Sequence, residues 1–357
     1  MPANPDEPAS PGPGRRGAVP AGAAPAAPPR PAPRSEGDGG LAGGRPAGGA
    51  SPVGASGEGP PAPGLPPARP QRVGEALAWA RGFLVHAGLD ADEARASARV
   101  LLGAALALPG ARVLAEPERF LPPAAWCRFV QYVLRRARRE PVAYILQRSE
   151  FYGRTFRVTP ATLIPRPETE VLVEAVLRTL PAEPAVVADL GTGTGVIAVT
   201  LAAERPAWTV LATDCAPAAL KVARENAAHH GVADRVRLYL GDWAQPLLAA
   251  GWAGKLAAVV SNPPYVAAAE LPRLQAEVRR YEPHLALTPG TTGLEAYQRL
   301  IPGAVRLLAP GGWIFLEVGA GQAPAVQELL GAAGGRCVRQ WPDLAGIPRV
   351  VAARWPG

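Results

Sequence analysis

The sequence predicts an α/β fold with a doubly wound parallel sheet, preceded by a small all-helical domain. From about residue 185 onwards, apolar runs of strand length alternate with amphipathic helical segments, which is the pattern of a parallel sheet covered by helices on both faces. Residues 72–139 instead repeat apolar residues only at three-and-four spacing, which indicates helices. The two regions are therefore expected to fold as separate domains.

Residues 1–70 form a tail that we expect to be disordered. It holds 19 of the chain's 43 prolines and 15 of its 40 glycines, and it contains no Phe, Tyr or Trp. Such a segment cannot bury enough apolar surface to offset the entropy lost on ordering. Met1 is the only methionine, so a start assigned upstream of a valine or leucine codon remains open as an explanation of this tail.

Residues 71–140 are predicted to form the helical domain. The stretch 72–89 has one apolar face, and a second helix follows Asp90, whose side chain suits an N-cap. A third helix in 122–139 has proline near its start and arginines at its end, as helix polarity favours.

Residues 141–165 are predicted to be a linker with a β-hairpin, and residues 166–357 the α/β domain. The segment EFYGRTFRV is expected to form two short strands around Gly153-Arg154. A helix begins at about Pro167, because proline and two glutamates favour the first turn.

Charge and cysteine content exclude several classes. No run of 18 apolar residues exists, so no membrane span is expected. Three scattered cysteines and four histidines show no ligand spacing, so we expect no metal and a reducing cytoplasmic location. The net charge is +7, and the densest basic run is RRARR at 135–139. This run indicates either a solvated helix face or a contact with an acidic partner such as nucleic acid.

The candidate site residues follow the predicted strands, because ligands bind at the carboxyl ends of strands in such sheets. The first strand ends in DLGTGTG (189–195), whose three glycines allow a ligand to approach the backbone. The second ends at Asp214, which is expected to accept hydrogen bonds from ribose hydroxyls. After the third come Asp242, a candidate acceptor for an adenine amino group, and Trp243, an apolar contact for the ring.

The fourth strand runs into SNPPYV (261–266). With the three preceding strand ends, this motif resembles the class I S-adenosyl-L-methionine-dependent methyltransferases that act on planar nitrogens. The resemblance implies a Rossmann-like, seven-stranded mixed sheet and S-adenosyl-L-methionine as cofactor. The side-chain oxygen of Asn262 and the carbonyl of Pro263 would each accept one N–H of a substrate NH2 group, in a loop that the prolines fix. Tyr265 would pack on the flat substrate.

Several further stretches resemble the peptide chain release factor N5-glutamine methyltransferases (the PrmC/HemK family) over about residues 72–357. They are residues 140–174, which include IPRPETE, YEPHLAL at 281–287 and DLAGIPRVV at 343–351. The resemblance implies methylation of the glutamine in the Gly-Gly-Gln motif of class I release factors, with the helical domain recognising the substrate. The chain departs from the family in its tail and at Gln147, where a glycine is frequent.

The resemblance also implies roles by position. The cofactor contacts would be Gly191, Thr192, Gly193, Thr194, Gly195, Asp214, Asp242, Trp243 and Asn262. The catalytic residues would be Asn262, Pro263 and Tyr265. The substrate contacts would be Asn262, Pro263, Pro264, Tyr265, Arg166 and Glu168.

Three alternatives stay open at this point. The substrate could be a glutamine of a ribosomal protein, or an amino group in ribosomal RNA or DNA. The protein could also be a non-catalytic factor that binds translation components, although an intact NPPY motif argues against that. We expect a cytoplasmic monomer without stable nucleic-acid binding.

Overall fold

The computed structural model describes residues 64, 66 and 68–356. The predicted disordered tail therefore lies almost entirely outside the described residues. Within the described part, no helix combines the length and apolar character needed to cross a membrane.

Short helices make up the first part of the described chain. They are α1 (Val73–His86), α2 (Ala91–Leu106), α3 (Gly110–Ala115), α4 (Pro123–Ala137) and α5 (Val142–Leu146). Asp90 caps α2 as expected, because its carboxylate accepts hydrogen bonds from the backbone N–H groups of Asp92 and Glu93. Ile145 of α5 packs into the core of this helical bundle. We therefore propose that the helical domain extends to Leu146, six residues beyond the predicted boundary.

The predicted hairpin is present as β1 (Arg148–Phe151) and β2 (Arg154–Arg157), but its turn lies one residue earlier than expected. Phe151 pairs with Arg154, so the turn residues are Tyr152 and Gly153. Both have positive φ, +50° and +68°, as a two-residue turn that matches strand twist requires. Phe151 and Phe156 are buried in the core of the main sheet, so this segment belongs to the α/β domain in packing.

The α/β domain contains the alternating elements that the sequence predicts, together with two short helices, Gln245–Ala249 and Ala276–Tyr281, that were not predicted. They are α6 (Glu168–Thr179), β3 (Val186–Leu190), α7 (Val196–Glu204), β4 (Thr209–Asp214), α8 (Pro217–His229), β5 (Val236–Leu240), α9 (Gln245–Ala249), β6 (Leu256–Ser261), α10 (Ala276–Tyr281), α11 (Glu295–Leu307), β7 (Leu308–Glu317), α12 (Ala323–Ala332), β8 (Arg336–Pro342) and β9 (Pro348–Arg354). Two short 3-10 helices, Ala268–Arg273 and His284–Ala286, flank α10.

The seven strands form one mixed sheet in the order β5-β4-β3-β6-β7-β9-β8. Neighbours from β5 to β7 are parallel, whereas β9 pairs antiparallel with both β7 and β8. The predicted seven-stranded mixed sheet is confirmed. The chain passes from β3 outward to β5 and then returns to β6, so the strand order switches between β3 and β6, where such sheets bind ligands.

Helices cover both faces of the sheet, and successive strand residues alternate between two cores. Val187 of β3 packs in the core that contains α6 and α7, whereas Ala188 packs in the core that contains α11 and α12. This alternation follows from the two-residue period of a strand. The strands that carry the candidate site residues are therefore packed against helices on both faces of the sheet.

The basic run 135–139 joins the helical domain to the α/β domain. Arg136 is 3% exposed and donates to Ser97 at 3.2 Å and to Glu277 of α10 at 3.0 Å, and it also pairs with Glu93. Arg139 pairs with Glu277 at 3.0 Å. The interpretation of this run as a solvated helix face is therefore wrong for Arg136, because its charge is buried among acids of both domains.

Replacing Glu277 with glutamine should lower the free energy of unfolding by about 2 kcal/mol, since Arg136 keeps only Glu93 as a charged partner. Urea denaturation at neutral pH measures this change. The exposed Glu328 of α12 offers a matched control, whose change to glutamine should stay within about 0.5 kcal/mol. Equal effects of the two substitutions would contradict a structural role for the Glu277 pairs.

Candidate active site

The carboxyl ends of β3, β4, β5 and β6 lie side by side and open into one cavity. Most of the predicted site residues line it. They are Arg166, Gly191, Thr192, Gly193, Thr194, Asp214, Asp242, Trp243, Asn262 and Pro264. The remaining predicted residues are not part of this lining, and they are Gly195, Pro263, Tyr265 and Glu168.

The glycine loop between β3 and α7 needs its glycines for two physical reasons. Gly191, Gly193 and Gly195 all have positive φ, at +79°, +55° and +82°. A Cβ at Gly191 would lie 3.2 Å from the Trp243 ring, and one at Gly195 would lie 3.1 Å from Ala223 of α8. A Cβ at Gly193 would instead project into open space. The half-buried Gly193, which lines the cavity, is thus the part of the loop that a ligand can approach closely.

Asp214 ends β4 and supports the loop from the neighbouring strand. One carboxyl oxygen accepts the Gly193 N–H at 2.9 Å, and the other accepts the Ala216 N–H at 2.9 Å, just before α8. Burial raises the pKa of Asp214, while these two backbone donors oppose the rise. Each carboxyl oxygen keeps a free lone pair, so Asp214 can hold the loop and also accept from a ligand hydroxyl.

Asp214→Ala should weaken S-adenosyl-L-methionine binding by roughly 1–3 kcal/mol through lost charge-assisted hydrogen bonds. Isothermal titration calorimetry measures this difference. Asp234→Ala, at an exposed aspartate, serves as the control with the same chemical change. Unchanged affinity in Asp214→Ala would exclude Asp214 from the cofactor site.

Asp189 is a structural residue of the site that the sequence reasoning missed. It is completely buried near the end of β3, and one oxygen accepts from the Thr192 hydroxyl at 2.6 Å and from the Ala198 N–H at 3.2 Å. Burial raises its pKa to about 7, against the effect of these donors. It ties the glycine loop to α7. The signal was an acid inside an apolar strand, since buried aspartates are rare unless paired.

Asp242 and Trp243 come just after the end of β5. Trp243 has a φ of +47°, a conformation that is strained for a bulky residue and that recurs at functional sites. Its indole Nε1 is buried, and nothing in the described chain accepts a hydrogen bond from it. Asp242 accepts from Arg299 at 2.8 Å through Oδ2, which leaves Oδ1 for a ligand amino group.

The NPPY segment begins where β6 ends beside β3. The Ser261 hydroxyl donates to the Leu190 carbonyl at 2.6 Å and joins the two strand ends. The Asn262 amide nitrogen Nδ2 donates to the Thr169 hydroxyl oxygen at 3.1 Å. The amide oxygen Oδ1 is therefore the atom left to accept a hydrogen bond at the cavity, as the predicted chemistry requires.

Tyr265 lies deeper than the sequence suggested. Its carbonyl accepts from Gln322 at 2.9 Å, and its ring packs so closely on Gly319 that an added Cβ there would lie 3.0 Å away. Burial raises the pKa of the Tyr265 hydroxyl. The expected contact of this ring with a flat substrate stays a prediction.

Arg166 lines the cavity and also fixes its wall. It donates to Glu282 at 2.6 Å, and the Glu282 side chain, 1% exposed, also accepts the Ile164 N–H at 3.2 Å. The IPRPETE and YEPHLAL stretches are joined through this buried pair. Burial raises the pKa of Glu317, and the charge of Glu168 adds to that rise.

Comparison with known proteins agrees with this arrangement. The profile described as the PrmC N-terminal domain matches residues 75–146, and that of the methyltransferase small domain matches residues 168–278. The release factor glutamine methyltransferase of Cereibacter sphaeroides is 50% identical over 286 residues, covering 80% of this chain and 99% of that protein. That of Moorella thermoacetica is 49% identical over 264 residues, covering 73% of this chain and 92% of that protein.

The chain belongs to the release factor glutamine methyltransferase family. Membership confirms the predicted family, the class I methyltransferase fold, the enzyme class and S-adenosyl-L-methionine as cofactor. Among solved structures, a methyltransferase from Pyrococcus furiosus is a distant neighbour, with 18% identity and a TM-score of 0.43 over 58% of this chain and 91% of that one.

The cavity of this methyltransferase suits its cofactor. The Gly193 backbone, the partly free carboxylate of Asp214 and the Trp243 side chain line its wall.

Proposed function

We propose that this methyltransferase transfers a methyl group to the side-chain amide nitrogen of the glutamine in the Gly-Gly-Gln motif of class I release factors. The observation that carries the proposal is the orientation of Asn262. Its Nδ2 is bound by Thr169, so its Oδ1 is available beside the glycine loop to accept an N–H of a substrate amide.

The chemistry demands such an acceptor because an amide nitrogen is a poor nucleophile, its lone pair being delocalised into the carbonyl. Asn262 Oδ1 and the Pro263 carbonyl each accept one substrate N–H, which turns the nitrogen towards the incoming methyl group. The rigid Pro263-Pro264 backbone keeps both acceptors in place before the substrate arrives. When bound, S-adenosyl-L-methionine would supply the methyl group on a sulfonium whose sulfur leaves with the bonding electrons, and the methylated nitrogen would then lose one of its two protons to solvent.

The cofactor contacts extend along the same sheet edge. Gly191 to Gly195, including Thr192 and Thr194, surround the amino-acid part, and Asp214 accepts from the ribose hydroxyls. Asp242 accepts from the adenine amino group, and Trp243 covers the ring. Arg166, Glu168, Pro264 and Tyr265 complete the substrate side.

The ion pairs that three arginines of the run 135–139 form with acids of this chain favour a protein substrate over nucleic acid. Arg135 pairs with Glu140 at 2.5 Å, and Arg136 and Arg139 pair with acids of both domains. Arginines that are already neutralised add little counterion release on binding phosphates. We accordingly propose no stable nucleic-acid binding, and a monomer acting in the cytoplasm, where release factors work.

A comparison of substrates tests the proposed function. The protein is incubated with methyl-labelled S-adenosyl-L-methionine and equal amounts of a class I release factor, its variant with alanine for the Gly-Gly-Gln glutamine, total ribosomal proteins and deproteinised ribosomal RNA. We expect label in the unaltered release factor alone. Preferential labelling of a ribosomal protein or RNA would contradict the proposal.

A further inference from the structure

Glu317 is a buried acid that has no role in the chemistry described so far. Glu317 is the last residue of β7 and 1% exposed. Within the part of the chain that the structure describes, neither of its carboxyl oxygens makes a hydrogen bond. Burying an acid without hydrogen-bond partners costs free energy, so we expect this acid to act on a neighbouring group.

Thr169 is that group. It lies in the first turn of α6, 2% exposed, and its oxygen accepts the Asn262 Nδ2 hydrogen. A hydroxyl has a single hydrogen to donate, and Thr169 can offer that hydrogen to a second acceptor. Burial raises the pKa of Glu317 to about 7, and the Thr169 hydroxyl opposes that rise. Helix α6, which carries Thr169, packs against β7, which ends at Glu317.

The direction of the hydrogen bond between Thr169 and Asn262 decides which end of the asparagine amide faces the substrate. If the Thr169 hydroxyl donated to Asn262, the amide would turn by half a rotation and present its NH2 group to the cavity. An NH2 group cannot accept from the substrate NH2 group, so the two donors would oppose each other. A neighbouring carboxylate that attracts the Thr169 hydrogen disfavours this second arrangement.

We propose that Thr169 and Glu317 are positioning residues that fix the orientation of the Asn262 amide, so that Oδ1 faces the substrate nitrogen. The inference rests on the proposed function, because it concerns the same amide. The surroundings support a fixed acid. The Tyr297 hydroxyl donates to the Glu317 carbonyl at 2.9 Å and holds the end of β7.

The test compares three variants of the full chain at pH 8. Thr169→Val removes the hydroxyl at nearly constant volume, Thr169→Ser keeps it, and Thr200→Val makes the same change at a buried threonine of α7 whose hydroxyl has no partner in the described chain. Steady-state kcat and KM for the release factor are measured with saturating S-adenosyl-L-methionine. Cofactor affinity is measured by calorimetry.

We expect Thr169→Val to lower kcat about 10–100-fold, since a misdirected catalytic group loses this much. Cofactor affinity and the kcat of Thr169→Ser and Thr200→Val should stay within about threefold. A Thr169→Val enzyme with unchanged kcat would overturn the inference, and so would a Thr169→Ser enzyme as impaired as Thr169→Val. An unaltered protein that methylates no release factor would overturn the proposed function itself, and the inference with it.

Glu317→Gln supplies a second route if Thr169→Val does not fold. Its amide can donate to Thr169 as readily as accept, so kcat should fall with cofactor affinity unchanged. Combined with Thr169→Val, it should cause no further loss, because both changes break one chain of contacts. A Glu317→Gln enzyme with full kcat would overturn the role of the acid.

Discussion

Replacing Asn262 with alanine should lower kcat for release-factor methylation roughly 10²–10³-fold, the range seen when one preorganised hydrogen-bonding group is removed from a transition state. Affinity for S-adenosyl-L-methionine should stay within about tenfold, because the amide acts mainly on the transferred nitrogen. Steady-state methylation with saturating cofactor and release factor measures kcat, and calorimetry measures the affinity for S-adenosyl-L-methionine.

Gln298→Ala is a suitable control for Asn262→Ala. Gln298 is an exposed carboxamide on α11, so its removal should leave both quantities unchanged. Near-normal turnover in Asn262→Ala would exclude the amide from the reaction. A loss of turnover matched by an equal loss of cofactor affinity would indicate a cofactor contact instead.

Replacing Glu317 with glutamine should stabilise the protein at pH 8 by about 3 kcal/mol relative to its effect at pH 4.5. The folded-state pKa of about 7 lies above the ordinary value of 4.5, so folding favours the protonated acid. Stability from this group is fully present below about pH 4.5 and is lost as the pH rises through about 7. The difference between a pKa of 4.5 in the unfolded chain and about 7 in the folded protein corresponds to about 3 kcal/mol.

The groups around Glu317 change its pKa in opposite directions. Burial is the main cause of the raised pKa of Glu317 and Glu168 adds to it, whereas the Thr169 hydroxyl, Arg349 and Arg166 oppose it. Urea denaturation of both proteins at pH 4.5 and pH 8 measures the difference, and the contributions of other titrating groups such as Asp189 cancel between the two proteins. An equal stability difference at both pH values would contradict a raised pKa.

The site's main frame could be predicted from sequence because it depends on local patterns. Gly191, Gly193 and Gly195 have the positive φ that their residue type allows, and parallel strands place Asp214 and Asn262 at one edge. These statements need only the strand period and the rule that ligands bind at carboxyl ends of strands.

The rest depends on contacts between distant parts of the chain. Thr169 and Asn262 are 93 residues apart, and nothing in either local pattern indicates that they meet. Arg136 looked solvent-exposed because its partner Glu277 lies 141 residues away in another domain. Asp189 could have been noticed as an acid inside an apolar strand, but its contact with Ala198 of α7 and the burial of Glu317 follow only from the helices packed over the sheet.

Tandem mass spectrometry of the Gly-Gly-Gln peptide, after the protein has acted on a purified class I release factor with S-adenosyl-L-methionine, tests the proposed reaction directly. We expect one added methyl group, located on the side-chain amide of the glutamine. A peptide that stays unmodified, or that carries the methyl group on another residue, while the protein binds its cofactor, would contradict the proposed reaction.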